Sequence, residues 1–168
     1  MSGIEPSHWP GYTGANALAG LFIYGSGDSI AALILGEFSF LRLGAIALLG
    51  ATLYAIEIPN WFHLIDRLVP GQSGLRSVLT RTALALAYFN PLWIARHLAI
   101  IRLASGRALD WSLLGIAGTA FLANIPMALA ANTLIQNRCP ERWRFRASAM
   151  YSALMAIYYA MSQRWFSP

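Results

Sequence analysis

The sequence predicts an all-α integral membrane protein, a bundle of four to five transmembrane helices with a short interfacial helix. Of its 168 residues, 57% are hydrophobic and 11% are charged, whereas a soluble domain is about 45–50% apolar and about 25% charged. A chain of this size cannot bury so much apolar surface in one core. Only helices and closed barrels satisfy the backbone in lipid, and no stretch alternates like a barrel strand. We therefore expect one membrane-embedded helical domain over residues 1–168.

Five apolar stretches are candidates for spans, because a helix crosses a bilayer core in about 20 residues. They cover residues 15–35, 38–58, 75–101, 113–135 and 147–165, preceded by an N-terminal tail over residues 1–14. The sequence GSGDS interrupts the first stretch, and the last is the weakest. Residues 60–69 are too few to span, so an interfacial helix or a turn is expected there. Pro91 and Pro126 are expected to kink the third and fourth helices.

Tryptophan side chains support this partition, because the indole ring prefers the membrane–water interface. Trp93 lies inside the third stretch and is followed by basic residues, so this span is expected to leave the hydrocarbon near Ala95. The rest of the helix then lies along the interface or continues into water. The other five tryptophans flank the stretches: Trp9, Trp61, Trp111, Trp143 and Trp165.

All twelve basic side chains are arginines, and the formal net charge is +5. They lie beside hydrophobic segments rather than on one soluble face, which indicates contacts with lipid headgroups and not with nucleic acid. Bound phospholipids are therefore expected. The expected headgroup contacts are Arg96, Arg102, Arg107, Arg142, Arg144 and Arg146. With five crossings, the positive-inside rule places the N-terminus in the cytoplasm or matrix, by seven arginines against five.

Small residues at helical spacing predict close packing between the spans, since hydrophobicity alone does not bring helices together in lipid. These residues lie on the second, fourth and last spans. They are Gly44, Ala47, Ala51 and Ala55, then Gly115 and Gly118, then Ala149, Ala153, Ala156 and Ala160.

Asp28 is the most informative polar residue, because it lies within the first apolar stretch. A carboxylate at mid-depth costs at least about 2.5–3.5 kcal/mol on insertion scales, so a partner or a wet cavity is expected. Arg42 and Arg81 are the candidate partners. Asp28 then either lines a pore or forms a structural ion pair. Three further residues form interhelical hydrogen bonds or line a channel: Asn90, Asn124 and Asn132.

Glu57, Asp66 and Arg67 follow one another around the end of the second span, and we interpret them as a structural polar lock. His63 and His97 are weak candidates for binding haem or a pigment, which needs an imidazole in an apolar pocket. No paired-carboxylate, GxSxG, P-loop or HExxH motif occurs. We therefore expect no enzyme activity, no catalytic residue, no metal and no cofactor. The single Cys139 excludes an intramolecular disulfide.

Several of these segments together resemble the Mpv-seventeen / peroxisomal membrane protein family. The stretch 19–34, with Gly27-Asp28, is similar to the family's opening helix. Trp61-Phe62, Ile65-Asp66-Arg67 and Pro70-Gly71 resemble its signature after the second helix. The spacing of Pro126 and Asn132 and the tail with Ser162 also fit, whereas Ile125 stands where the family has tryptophan. The resemblance implies a small solute- or ion-conducting pore of an organelle or bacterial inner membrane.

Two functions are compatible with these observations. The first is a non-enzymatic accessory subunit, packed with other membrane subunits into a larger complex. The alternative is a small-solute or ion channel of the Mpv-seventeen type. A redox or pigment-binding subunit has less support, because it depends only on His63, His97 and the aromatic residues. The expected location is the bacterial inner membrane or the inner membrane of a mitochondrion or plastid, with membrane lipids as partners in either case.

Overall fold

The computed structural model of the chain describes residues 11–70 and 74–166, without the side chains of Phe89 and residues 159–166. Five long helices and their connections make up this part of the chain, which confirms the all-α prediction. The helices are α1 (Gly14–Leu35), α2 (Phe40–Leu68), α3 (Leu75–Ala104), α4 (Ser112–Asn137) and α5 (Glu141–Phe166). Trp9 and Gly71 lie outside the described residues, as do the side chains of Ala160, Ser162 and Trp165.

Four helices, α1 to α4, are long and apolar enough to cross a membrane. Short connections join them, so the chain runs up and down the bundle. The helices α1, α3 and α5 begin at one end, which we call the first end. At this end α2 and α4 finish. The opposite end carries the connections 36–39 and 105–111.

The α1–α2 turn has local signals at both of its helix boundaries. Gly36 ends α1 with φ 72°, a left-handed conformation that glycine adopts without strain. The Ser39 side chain then accepts a hydrogen bond of 3.1 Å from the Arg42 amide and caps α2. This turn sets the position at which Arg42 enters the bundle.

Two expected interruptions are absent from the described helices. The GSGDS sequence does not break α1, because Gly25 and Gly27 are buried against neighbouring helices and serve packing. Residues 60–68 do not form a separate element but continue α2, which contains Pro59 and a π-helical turn at Gly50–Tyr54. Proline is tolerated in such helices because neighbouring groups can satisfy the freed backbone carbonyl. Pro91 and Pro126 also lie inside unbroken helices, and the kinks expected there remain predictions.

Close backbone approaches join α1 to α2 and α5. A Cβ atom on Gly20 would collide with the carbonyl of Gly50, and one on Gly27 would collide with Ala153. Gly25 also faces α2, where a Cβ atom would lie 3.2 Å from the Ala47 side chain, a tight contact without a collision. Close packing through small residues is therefore observed around α1, where side chains larger than hydrogen would hold the helices apart. Ala47 and Ala153 are among the residues predicted to take part in such packing, whereas the glycines of α1 are not.

All three glycines among the predicted packing residues lie elsewhere. Gly44, Gly115 and Gly118 are exposed, and a Cβ atom on any of them would meet no atom within 4 Å. The prediction that they pack inside the bundle is wrong. Spacing shows that small residues share a helix face, but it does not show which face turns inward.

The core lies where α1, α2 and α5 meet, with α3 against α2 and α4 against α3. Its largest fully buried side chains include two tyrosines, whose rings pack 4.9 Å apart between α1 and α2. The main core residues are Tyr24, Ile46, Tyr54, Ile58, Ile65 and Phe145.

Candidate functional site

The first cluster of buried charges, the Asp28 cluster, joins Asp28, Arg42 and His97 from three helices. Arg42 donates two hydrogen bonds of 2.8 Å, from Nε and Nη2, to the two carboxylate oxygens of Asp28. His97 Nε2 lies 3.3 Å from Asp28 Oδ1. The three residues are only 2%, 4% and 6% exposed, respectively. Of the two predicted partners for Asp28, the structure selects Arg42.

The local sequence explains how this cluster assembles. Gly27 allows α1 to approach α5 closely just before Asp28, and the Ser39 cap begins α2 one turn before Arg42. His97 is held on α3 by the Trp93 ring, which lies one turn earlier and stacks on the imidazole with centroids 4.7 Å apart. A bidentate guanidinium–carboxylate pair is geometrically specific as well as strong.

The second cluster, the Glu57 cluster, lies further along the bundle toward the first end. Arg96 Nη1 forms an ion pair of 2.6 Å with Glu57 Oε2, and the Tyr88 hydroxyl donates a hydrogen bond of 3.1 Å to Glu57 Oε1. Arg96 also lies over the Tyr54 ring, 5.4 Å from its centroid. The guanidinium therefore has both an ionic and a cation–π partner.

Aromatic rings connect these two clusters. Trp93 stacks on His97 of the Asp28 cluster and lies 6.4 Å from the ring of Tyr54. Tyr54 in turn contacts Arg96 of the Glu57 cluster. Polar and aromatic side chains thus form a continuous series of contacts through the interior.

The third cluster, the Asp66 cluster, lies at the first end. Arg81 from α3 and Arg144 from α5 both donate to the Asp66 carboxylate, the latter at 2.5 Å. Gln136 from α4 donates a third hydrogen bond, of 2.8 Å. Arg81 also donates to the Val69 carbonyl at 3.0 Å. This carboxylate therefore ties α2 to α3, α4 and α5.

The predicted polar lock corresponds to two sites in the structure. Glu57 and Asp66 belong to different clusters and bind different arginines. Arg67 is exposed near the end of α2. The prediction treated these residues as neighbours because they are near in sequence, whereas positions nine residues apart differ by about 13.5 Å along a helix axis.

The three predicted intramembrane asparagines are buried, but the structure does not bring them together. Asn124 accepts a hydrogen bond of 2.9 Å from the Tyr151 hydroxyl and so joins α4 to α5. Asn132 donates to the carbonyl of Ala128 in its own helix, at 2.8 Å. Asn90 lies on α3 and is 9% exposed.

Four of the six arginines expected at lipid headgroups instead have carboxylate partners in the protein. Arg144 is buried and bound to Asp66, so the expectation of a headgroup contact is wrong for it, whereas Arg96 is partly buried and pairs with Glu57. Arg102 and Arg107 form exposed ion pairs at the opposite end. Their partners are far away in sequence or on another element, which explains why composition and span boundaries did not reveal them.

Both histidines contact carboxylates. His97 faces Asp28, and His63 Nδ1 lies 3.0 Å from Glu141 Oε1 at the start of α5. Within the described residues no group of three or more histidine, cysteine, aspartate or glutamate side chains could hold a metal ion. The expectation that neither histidine binds a cofactor remains a prediction.

Sequence reasoning missed most of the partners in these clusters. In the sequence, Trp93 indicates the end of the third span and Arg144 is expected at a headgroup, whereas Tyr54 and Gln136 are not singled out. One available signal was the spacing of Trp93 and His97, which places both on one face of α3. The contacts across helices depend on rotation of each helix about its axis, which the apolar pattern leaves undetermined.

No family model, curated protein or solved structure matches this chain. The resemblance to the Mpv-seventeen / peroxisomal membrane protein family therefore remains a prediction. Functional reasoning has to start from the buried charge clusters themselves.

Proposed function

We propose that this chain conducts small polar solutes or ions across its membrane through the centre of its bundle. The observation that carries the proposal is the Asp28 cluster, in which carboxylate, guanidinium and imidazole are each at most 6% exposed. Its helices are apolar enough to span a bilayer. Ionisable residues at such depth are costly, and in membrane proteins they mark ion pathways and proton relays.

The order of the clusters supports a path rather than a single structural ion pair. From Asp28 the contacts continue through His97, Trp93 and Tyr54 to Arg96 and Glu57. The Asp66 cluster then lies beyond them at the first end. A helix bundle needs no such series for stability, since packing and a few hydrogen bonds hold membrane helices together.

In this proposal the described conformation is the closed one. Each carboxylate is paired with at least one arginine, so none of the three carboxylates is free to bind a solute. Opening separates Arg42 from Asp28 and exposes both groups to the passing solute. Buried ion pairs suit such a gate, because they fix one arrangement when intact and are costly to leave half-broken.

Purified protein in liposomes tests this function. We expect Asp28→Asn to change the ion selectivity, measured as a shift in reversal potential across a salt gradient. The matched control is Asp110→Asn, which removes an exposed carboxylate outside the helices and is expected to leave selectivity unchanged. His97→Gln provides a second variant in the same cluster. Conductance and selectivity that stay unchanged in both core variants would contradict the proposal.

An accessory role in a larger membrane complex is the second candidate, and one observation favours it. Gly115 and Gly118 form an exposed small-residue face on α4 with open space around them, and such faces let membrane helices approach closely. The size of the gently solubilised protein distinguishes the roles. A subunit is expected in a large stoichiometric assembly that Gly115→Leu/Gly118→Leu disrupts, whereas Gly44→Leu serves as the control on another helix.

A further inference from the structure

A cleft of about 590 Å³ opens at the first end of the bundle, between the beginnings of α1 and α5 and the last part of α2. Its floor is apolar and is formed by Pro59, Phe62 and Phe145. Arg142 and Arg146 line its side, one turn apart on α5. The cleft therefore combines an apolar surface with two basic side chains at a helix end.

The charge of this cleft is not balanced within the described residues. Of the six arginines considered above, Arg142 and Arg146 are the two without a carboxylate partner among these residues. Glu141 and His63 also line the cleft, and the Glu141 carboxylate lies 3.0 Å from His63 Nδ1. Arg146 stacks over the Trp143 ring at 4.6 Å, which orients its guanidinium without neutralising it.

Two helix N-termini add to the positive potential of the cleft. The first turns of α1, at Thr13 to Asn16, and of α5, at Glu141 to Arg146, both contribute to its walls. The amide groups of a helix N-terminus carry a partial positive charge and bind anions. The helix N-termini alone would not define a ligand, but their partial charge is positive, like the charge of the two arginines.

We propose that this cleft binds the phosphate group of an anionic phospholipid, with Arg142 and Arg146 as the phosphate contacts and an acyl chain on the apolar floor. A lipid matches both parts of the surface, whereas a free anion would use only the basic part. The position also fits, since helix ends of a membrane protein lie at the level of the headgroups.

Native mass spectrometry of the full-length protein, released from micelles with equal amounts of phosphatidylglycerol and phosphatidylcholine, tests this site. We expect preferential retention of phosphatidylglycerol. Arg142→Gln/Arg146→Gln is expected to reduce this preference by about fivefold for each arginine, the factor that one basic side chain contributes near an anionic surface. Arg138→Gln is the matched control, because Arg138 is exposed at the same end but does not line the cleft.

Four results would overturn the proposal. Equal retention of the two lipids by the natural protein would show no anion preference. Loss of preference in Arg138→Gln as large as in the double variant would show only a general charge effect. Displacement of the lipid by millimolar glycerol phosphate would identify a free anion as the ligand. The chain's own N-terminus is the alternative occupant, and Glu5 is the only acidic residue among residues 1–10 that could pair with the two arginines. A preference for phosphatidylglycerol that emerges only in Glu5→Gln would identify this segment as the occupant.

Discussion

At the scale of single residues, the interior of this bundle is organised around carboxylates rather than around apolar side chains alone. Asp28, Glu57 and Asp66 each bind at least one arginine from another helix. A lone buried charge is far more costly than a paired one, and removing one partner from a buried pair typically costs about 3–5 kcal/mol. Each carboxylate therefore specifies which helices are neighbours and in which rotation.

We expect Asp28→Asn to destabilise the protein by about 3–5 kcal/mol, because Arg42 would lose its buried counter-charge and keep only the exposed Glu37. Denaturation in mixed micelles, followed by circular dichroism, measures this change. Glu37→Gln is the control, since Glu37 is the exposed second partner of Arg42, at 3.5 Å, and exposed pairs contribute about 1 kcal/mol or less. Asp28→Asn/Arg42→Met is expected to recover part of the loss, and equal destabilisation by Glu37→Gln would refute this account.

Asp110 links the connection before α4 to both neighbouring helices. Its carboxylate accepts hydrogen bonds from the Ser112 amide at 2.8 Å and from Arg102 at 2.9 Å. The Ser112 side chain, then Arg102 and, to a smaller extent, the Ser112 amide lower the pKa of Asp110 below its ordinary value through their hydrogen bonds. A lowered pKa in the folded state means that the stabilisation is present above about pH 4, the unfolded value, and is lost as the pH falls through the folded pKa.

We therefore expect the first turn of α4 to open more often on acidification below about pH 4. Hydrogen–deuterium exchange of the segment 105–115 measures this opening. Comparing the natural protein with Asp110→Asn at each pH removes the intrinsic pH dependence of exchange. Asparagine retains the capping oxygen but does not titrate in this range. The exchange rates of the two proteins should differ near neutral pH and become equal in acid. A ratio of the two rates that stays constant across the pH range would rule out this role of Asp110.

At the scale of helices, α1 is the element on which the others assemble. It approaches α2 where Gly20 meets Gly50 and α5 where Gly27 meets Ala153. These approaches bring backbones into contact, so dispersion and weak backbone interactions act over a larger area. The glycines of α1 thus serve close packing and do not interrupt the helix.

We expect Gly20→Ala to destabilise the bundle by about 1–3 kcal/mol, because the added methyl group would overlap the Gly50 carbonyl and force the helices apart. Gly44→Ala is the matched control, since a Cβ atom there meets open space. It should be neutral or stabilising by up to about 1 kcal/mol, the helix preference of alanine over glycine. The free energies of unfolding of both variants are compared in the same micelles. Similar free energies for Gly20→Ala and Gly44→Ala would contradict this account of the packing.

The helices themselves could be predicted because apolar length and the depletion of charge are local properties of the sequence. Even the boundaries of α1 and α4 differ from the expected spans by only one or two residues. The clusters could not be predicted in this way. Asp28 and His97 are 69 residues apart, and their contact depends on how α1 and α3 are rotated. Asn132 and Gly115 show the same limit, because helical spacing identifies a face but not its neighbour.

At the scale of the whole molecule, the position of α5 determines how many times the chain crosses the membrane. This helix is absent from the four that are apolar enough to span. It nevertheless runs beside α1 in the same direction, with Phe145 near Gly20 and Ala153 against Gly27. Arg144 in its first turn is neutralised by Asp66, which lowers the cost of placing this helix in the bundle.

We therefore expect five crossings, with Cys139 on one side of the membrane and both Ser105 and Ser167 on the other. Labelling with a membrane-impermeant maleimide in sealed vesicles tests this topology. The natural Cys139 reports the α4–α5 connection, and Ser105→Cys or Ser167→Cys in a Cys139→Ser background reports the other two positions. If α5 lies along the surface instead, the cysteine at 167 reacts from the same side as Cys139. If Cys139 and the cysteine at 105 react from the same side, then α4 does not cross, and the path proposed through the bundle fails with it.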